Sequence, residues 1–159
     1  MTPTEKKMIV LAIDPGAVES AFVVWDGLSI FGFGKIPNQK IFDKLLHYKY
    51  DVCVIEQISS YGMSVGESVF ETVFWSGRFA EASFKPFERI KRMEVKMRIC
   101  HDSRAKDSNI ITALIDRFAP NTPNRGKGTK KSPGFFYGFK KDIWQAFALA
   151  VTYLDNHGI

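Results

Sequence analysis

The chain has 159 residues, of which 45% are hydrophobic and 25% charged, with a formal net charge of +5. This length predicts a single domain, residues 1–159, whose core needs neither disulfides nor a structural metal. No stretch is apolar for long enough to span a membrane and no signal peptide is visible, so we expect a cytoplasmic protein without a membrane partner. Cys53 and Cys100 lack metal-type spacing, which favours free thiols.

The first predicted strand, residues 8–14, ends in a carboxylate. Residues 9–13 are wholly apolar, as is typical of a buried strand, and Pro15-Gly16 then forces a turn. Asp14 therefore lies at the end of a core strand, where a charge is costly unless a metal, a phosphate-binding network or a cation compensates it. The alternative is an Asp that opens the turn by bonding its own backbone.

Two further acids occupy comparable positions. Glu56 ends a short apolar strand that begins near Val52, and Asp142 lies in the first turn of a strongly apolar helix at about residues 141–155. Hard divalent cations such as Mg²⁺ take oxygen ligands, usually including one or two carboxylates. The three acids together predict a metal site.

The remaining elements predict an α/β fold. Strands 8–14, 20–25 and 28–35 are joined by tight turns, which indicates three antiparallel strands. A helix at 41–48 leads to strand four, and a loop at 58–66 follows it. Further segments are a helix at 67–82, an extended piece from residue 84, an irregular or strand-like piece at 95–100, and a helix at 103–118. This order predicts a ribonuclease H-like fold, a mixed five-stranded sheet flanked by helices, with Asp14 and Glu56 at the same edge.

Most of the positive charge lies in a third of the chain that flanks the acids. Between Asp116 and Asp142 there are seven basic residues and no acid. Segment 121–133 is rich in Gly, Pro, Thr and Lys, so we expect a mobile basic loop that is too polar to pack. A solvated surface is the alternative, but the position beside acids favours phosphate contacts. The candidate DNA contacts in this loop are Arg125, Lys127, Lys130 and Lys131.

Several short segments, in order and over nearly the whole chain, resemble the RuvC-like Holliday junction resolvases, most closely those of bacteriophages. The matching segments are Ile13-Asp14-Pro15-Gly16, Val54-Ile55-Glu56-Gln57, Val95-Lys96, residues 103–107 and residues 142–152. The resemblance implies a homodimeric endonuclease that depends on Mg²⁺, or alternatively Mn²⁺. Such an enzyme cuts branched DNA, such as a four-way junction, at symmetrical phosphates.

The resemblance also implies roles for particular residues. Asp14, Glu56 and Asp142 match the acids that hold two metal ions, while Gln145 stands where the bacterial enzymes carry a further acid and would complete or orient the metal shell. Lys96 matches a lysine that lies near the scissile phosphate.

Two other family features are displaced in this chain. Asp107 stands at the place of a second family lysine, so Lys106, together with the nearby Arg104, is the candidate for DNA contact there; Asp107 itself is predicted to cap its helix. The family's aromatic wedge after strand four is replaced by Ser59, which leaves Tyr61 as the nearest residue able to stack on an opened base pair.

The favoured function is two-metal hydrolysis of a phosphodiester, with Asp14 bridging both ions and Lys96 offsetting charge on the phosphate. Gln145 favours an alternative, a module of the same fold that binds structured nucleic acid without cutting it. A phosphotransferase of the actin and sugar-kinase type also opens with a strand, an Asp and a glycine turn, but the chain lacks a second nucleotide-binding half. The apolar stripe on the helix at 67–82 is either core or a dimer surface.

Overall fold

A five-stranded mixed sheet forms the centre of the computed structural model, which describes residues 6–159. The strands are β1 (Val10–Asp14), β2 (Glu19–Trp25), β3 (Ile30–Pro37), β4 (Val52–Gln57) and β5 (Phe87–Lys91). Their order across the sheet is β3-β2-β1-β4-β5. β2 is antiparallel to β1 and β3, whereas β4 is parallel to β1 and β5. The expected mixed sheet, with strands 1 and 4 adjacent, is confirmed.

Helices cover both faces of this sheet. They are α1 (Asn38–His47), α2 (Glu67–Ala82), α3 (Arg92–Cys100), α4 (Asp107–Phe118) and α5 (Asp142–Asn156). One face of β1, including Val10 and Ala12, packs in a core with α3, α4 and α5, and the other face, including Leu11 and Ile13, packs with α1 and α2. α5 is buried along nearly its whole length because it lies across the middle strands, which explains why its sequence is apolar on all sides.

Two segments differ from the sequence prediction. The prediction of an irregular or strand-like segment at 95–100 is wrong, since these residues belong to α3. Its β-branched residues Val95 and Ile99 suggested a strand, but they are four residues apart and both pack into the core shared with α5. The helix predicted at 103–118 begins only at Asp107, after a turn that buries Ala105.

The basic segment at 121–133 is more organised than its composition suggests. Gly126 is buried, and its carbonyl accepts a hydrogen bond from the Phe136 amide at 2.8 Å. Gly126 has a positive φ of 83°, and a Cβ there would lie 2.8 Å from the buried Phe136 ring. The prediction that this segment is too polar to pack is therefore wrong, because its backbone packs at Gly126. Lys130 and Lys131 are nevertheless exposed. Its mobility stays a prediction.

The structure bears on two further expectations, the lack of a membrane-spanning segment and the presence of free thiols. Within residues 6–159 no helix is both long and apolar enough to cross a membrane. Cys53 and Cys100 are free, as expected. The absence of a signal peptide concerned the first seven residues, of which 1–5 lie outside the described part of the chain.

Candidate active site

Three acids meet at one edge of the sheet. Asp14 ends β1, Glu56 is the last residue but one of β4, and Asp142 begins α5. Because β1 and β4 are parallel and Ile13 lies beside Ile55, their terminal acids reach the same edge. The Glu56 carboxyl lies within hydrogen-bonding reach of the Asp14 carboxyl, and Asp142 is close enough to act on Asp14 through its charge. The structure thus brings the predicted acids together, as the strand order implied.

The environment of Asp14 disfavours its charged form. Burial raises the pKa of the Asp14 carboxyl well above its ordinary value, and the hydrogen bond with Glu56 and the charges of Glu56 and Asp142 raise it further. The nearby Arg92 guanidinium acts in the opposite direction and lowers the pKa of Asp14. Asp14 therefore holds a proton more readily than an isolated aspartate does.

Two cations that sequence reasoning missed reach these acids. The Lys35 ammonium donates a hydrogen bond to Asp142, with 2.7 Å between Nζ and Oδ2, and this bond raises the pKa of Lys35. The Arg92 guanidinium lies 3.6 Å from Glu56 (Nη1 to Oε1) and also donates to Asp107. A positional signal existed for both: β3 and β5 run in the same direction as β1, so Lys35 near the end of β3 and Arg92 just after β5 lie at the acidic edge.

A buried hydrogen-bond triangle fixes the turn that follows Asp14. The Gly16 amide donates to Ser20 Oγ at 3.0 Å, Ser20 Oγ donates to Asn38 Oδ1 at 2.6 Å, and Asn38 Nδ2 donates to the Gly16 carbonyl at 2.9 Å. A Cβ at Gly16 would lie 2.2 Å from the Glu19 carbonyl, so this close approach requires glycine. The turn is held from β2 and α1, and with it the position of the Asp14 carboxyl.

Gln145 and Lys96 lie on helices that border the acids. Gln145 is three residues after Asp142, hence on the same side of α5, and it is buried with 8% exposure. Lys96 lies one turn after Arg92 on α3 and is half-buried. It is Arg92 that contacts Glu56, whereas the phosphate role of Lys96 stays a prediction.

The other predicted DNA contacts lie on the surface around the site. Tyr61 is 56% exposed in the loop after β4, and Arg104 and Lys106 are exposed before α4. The predicted capping role of Asp107 is wrong, because Lys106 occupies the N-cap position and the Asp107 carboxylate pairs with Arg92. In that capping turn, the Lys106 amide donates instead to the side chain of Asn109.

The basic loop at residues 121–133 carries exposed positive charge on a segment separate from the three acids. Arg125 is exposed and donates a hydrogen bond to Thr112 Oγ1 on α4 at 3.0 Å. Lys127 is half-buried, and its backbone bonds to Asn124 and Gly134 hold the loop closed. The loop lysines are therefore available for phosphate contacts, which stay a prediction.

The donor set at the acidic edge fits a hard divalent cation. Carboxylate oxygens are the ligands that such ions prefer, and a cation between Asp14 and Glu56 would relieve the repulsion that raises the Asp14 pKa. In the described chain, however, no three acidic, histidine or cysteine side chains are arranged closely enough to hold an ion. Asp142 instead holds Lys35, so binding an ion with all three acids requires that ion pair to open.

Comparison with known proteins identifies the fold. No family model matches the sequence, and no curated protein sequence matches it. Among solved structures, Thermus thermophilus RuvC has 15% identity and a TM-score of 0.65 over 95% of this chain and 97% of that chain. The structure of T. thermophilus RuvC in complex with Holliday junction substrate gives 14% identity and a TM-score of 0.67, over 94% of each chain.

A viral protein shows the same architecture. The Fowlpox virus resolvase, solved with its substrate Holliday junction DNA, has 15% identity and a TM-score of 0.57 over 92% of this chain and 99% of that chain. At this identity the likeness concerns the fold. The fold is therefore ribonuclease H-like in class and, within that class, RuvC-like, as the sequence predicted.

Replacing the buried carboxyl should stabilise the protein in a pH-dependent way. A raised pKa in the folded state means that folding costs free energy once pH rises above the unfolded value of 3.8, and the cost grows until pH passes the folded pKa. We expect D14N to raise Tm at pH 7 by about 2–4 °C because it removes this desolvated charge, the shift given by roughly 1 kcal/mol in a chain of this size, with no gain below about pH 3.8. Thermal melts in EDTA across this range test it.

The matched control for these melts is D43N, which alters an exposed acid on α1. It should leave the curve of Tm against pH unchanged. Equal melting of D14N and the unaltered protein at pH 7 would contradict a strained carboxyl at this position.

Proposed function

We propose that the protein is a metal-dependent endonuclease that cleaves four-way junctions or other branched DNA. The observation that carries the proposal is the convergence of Asp14, Glu56 and Asp142 at one sheet edge of a RuvC-like fold. Neighbours with this fold were solved with Holliday junction DNA. The basic segments that flank the acids supply the positive surface that a DNA backbone needs.

Asp14, Glu56 and Asp142 would hold Mg²⁺, or Mn²⁺, with two ions per site as the proposed number. Bound there, such ions activate a water and stabilise the leaving oxygen of a phosphodiester. Asp14 interacts with both Glu56 and Asp142, so it would be the acid shared by the two ions, and Gln145 would add a neutral oxygen one turn along α5.

The cations at the site have a second task in this proposal. Arg92 is held at Glu56 by its bond to Asp107, so its guanidinium is already oriented where a phosphate would meet the acids. Lys35 neutralises Asp142 in the structure and becomes free for phosphate once Asp142 takes a metal. Lys96, one turn beyond Arg92, would add charge to the same phosphate-binding face.

A second candidate function is recognition of structured nucleic acid without cleavage. It is favoured by the neutral Gln145 and by the ion pairs that already occupy Glu56 and Asp142. The two functions differ in metal dependence. Added Mg²⁺ should raise Tm if the acids bind it. It should leave Tm unchanged if the acids only form ion pairs with Lys35 and Arg92.

The nuclease proposal predicts that D14N, E56Q and D142N each lower junction cleavage by at least about 100-fold, because each removes a carboxylate that would hold the metal ions. Junction affinity should be equal or higher, since less negative charge faces the DNA. The measurement uses a labelled four-way junction and a matching duplex, each with Mg²⁺ or EDTA, and D43N serves as the control acid. Full cleavage by any of the three variants would remove that acid from the site.

Two symmetrical cuts in a four-way junction need two active sites, and an isologous dimer supplies them. α2 offers the surface for it. Phe79 of this helix is buried in the core, but Phe70, Val73 and Phe74 remain exposed on its outer side. Exposed apolar side chains grouped in this way are typical of interaction sites. We propose that α2 packs against its counterpart in a second copy.

Light scattering at micromolar concentration should report a dimer for the unaltered protein and a monomer for F74E, because a charge buried without a partner opposes the α2 contact. The control is F84E, which alters an exposed Phe in the turn before β5. A monomer both alone and on junction DNA would contradict the proposed assembly.

The loop lysines Lys127, Lys130 and Lys131 should contact phosphates of the junction arms. Changing all three to Ala is expected to weaken binding and to flatten the slope of log K against log salt by up to about three units, since each phosphate contact contributes roughly 0.9. Turnover at saturating protein should change little, because the acids lie elsewhere. An unchanged salt slope would identify the loop as a solvated surface.

A further inference from the structure

The edge strand β3 presents different side chains on its two faces. Gly32 and Gly34 face the α1 side, where Tyr48 and Phe22 cover them: a Cβ would lie 2.1 Å from the Tyr48 hydroxyl at Gly32 and 3.4 Å from the Phe22 ring at Gly34. Their neighbours Phe33 and Lys35 face the opposite side, that of α5. One face of this edge is thus closed by aromatic packing, and the other carries an aromatic ring and a cation in one row.

Phe33 is fixed in place but only partly covered. Its ring packs on Phe139, with 4.8 Å between centroids, and against Gly138, yet the residue remains 37% exposed. Tyr137, next to Gly138 in the chain, is 43% exposed, and Phe31 at the β3 bulge is 52% exposed. The aromatic patch is therefore the partly exposed Phe33 ring on its buried support, Phe139.

This patch leads directly to the acids. Lys35 is two residues beyond Phe33 on the same face, which is about 7 Å along a strand, and its ammonium bonds to Asp142. Exposed Lys140 and Lys141 join Phe139 to Asp142 on the other side of the patch. An aromatic surface bordered by three lysines matches a ligand that has both flat rings and negative charge.

We propose that Phe33 stacks an unpaired base of the DNA while Lys35, Lys140 and Lys141 hold the adjoining phosphates. This inference rests on the proposed function, since it places the strand that enters the acidic site. Stacking on an aromatic ring accepts any base, because every base has a flat face. The β3 edge therefore holds an opened strand beside the acids, at a distance from the loop that carries Tyr61.

The test uses the D14N protein, so that binding is measured without cleavage, and the variants F33L and F33Y. Leucine keeps an apolar side chain against Phe139 but removes the flat ring, whereas tyrosine keeps the ring. We expect F33L to weaken binding of a four-way junction with unpaired bases at its centre by about tenfold and to leave duplex binding unchanged, with F33Y close to the parent. The matched control is F84L, an exposed Phe at the other end of the sheet.

A direct readout accompanies the affinities. A 5-iodouracil at the junction centre should crosslink to Phe33 on irradiation, as located by mass spectrometry, and F33L should lose that crosslink while melting as a folded protein. Equal junction binding by F33L and its parent, without a crosslink, would overturn the proposed stacking. Phe33 would then serve only to pack against Phe139 or to contact another protein. If the D14N parent shows no preference for the junction, the proposed function fails, and the proposed stacking on Phe33 fails with it. If the protein with Asp14 intact cleaves the junction but F33L does not weaken junction binding, only the stacking proposal fails.

Discussion

The carboxyl of Asp14 lies at the end of a buried strand, where water solvates its charge only partly, so the neighbouring elements must compensate it. Arg92 enters from the start of α3, and Lys35 neutralises Asp142 from β3. Three carboxyls are thereby set against two cations. Exposed and partly exposed pairs of this kind gain little stability, and charged groups gathered around a raised carboxyl pKa are typical of functional sites.

The sequence was most informative where one local pattern decided the outcome. Apolar runs that end in an acid located Asp14 and Glu56, and the helical crossover into strand four predicted the parallel pairing that brings them together. Residues 95–100 misled because β-branched residues at helical spacing also suit a strand. Arg92 and Lys35 escaped notice because their partners depend on which strands occupy the two edges of the sheet, and this is a global property.

The turn after Asp14 shows a further limit of sequence reasoning. Pro15-Gly16 predicts a turn, but the turn is held by Ser20 and Asn38, which come from β2 and α1. Both side chains are buried, and each satisfies the hydrogen-bonding group of the other. No local pattern marks such a pair, because a Ser and an Asn become partners only after the two elements have packed. Asp14 itself could be predicted from the sequence, but the hydrogen bonds that hold the turn after it could not.

The placement of Asp142 has a consequence for the growing polypeptide. The ion pair of Lys35 with Asp142 spans 107 residues, and α5 is synthesised after every strand of the described sheet. Asp14 and Glu56 belong to β1 and β4, which are synthesised earlier, but the third carboxyl joins them only when α5 packs across the sheet. The nascent chain thus carries an incomplete acid cluster until α5 has been translated, and the complete site exists only in protein whose core has closed.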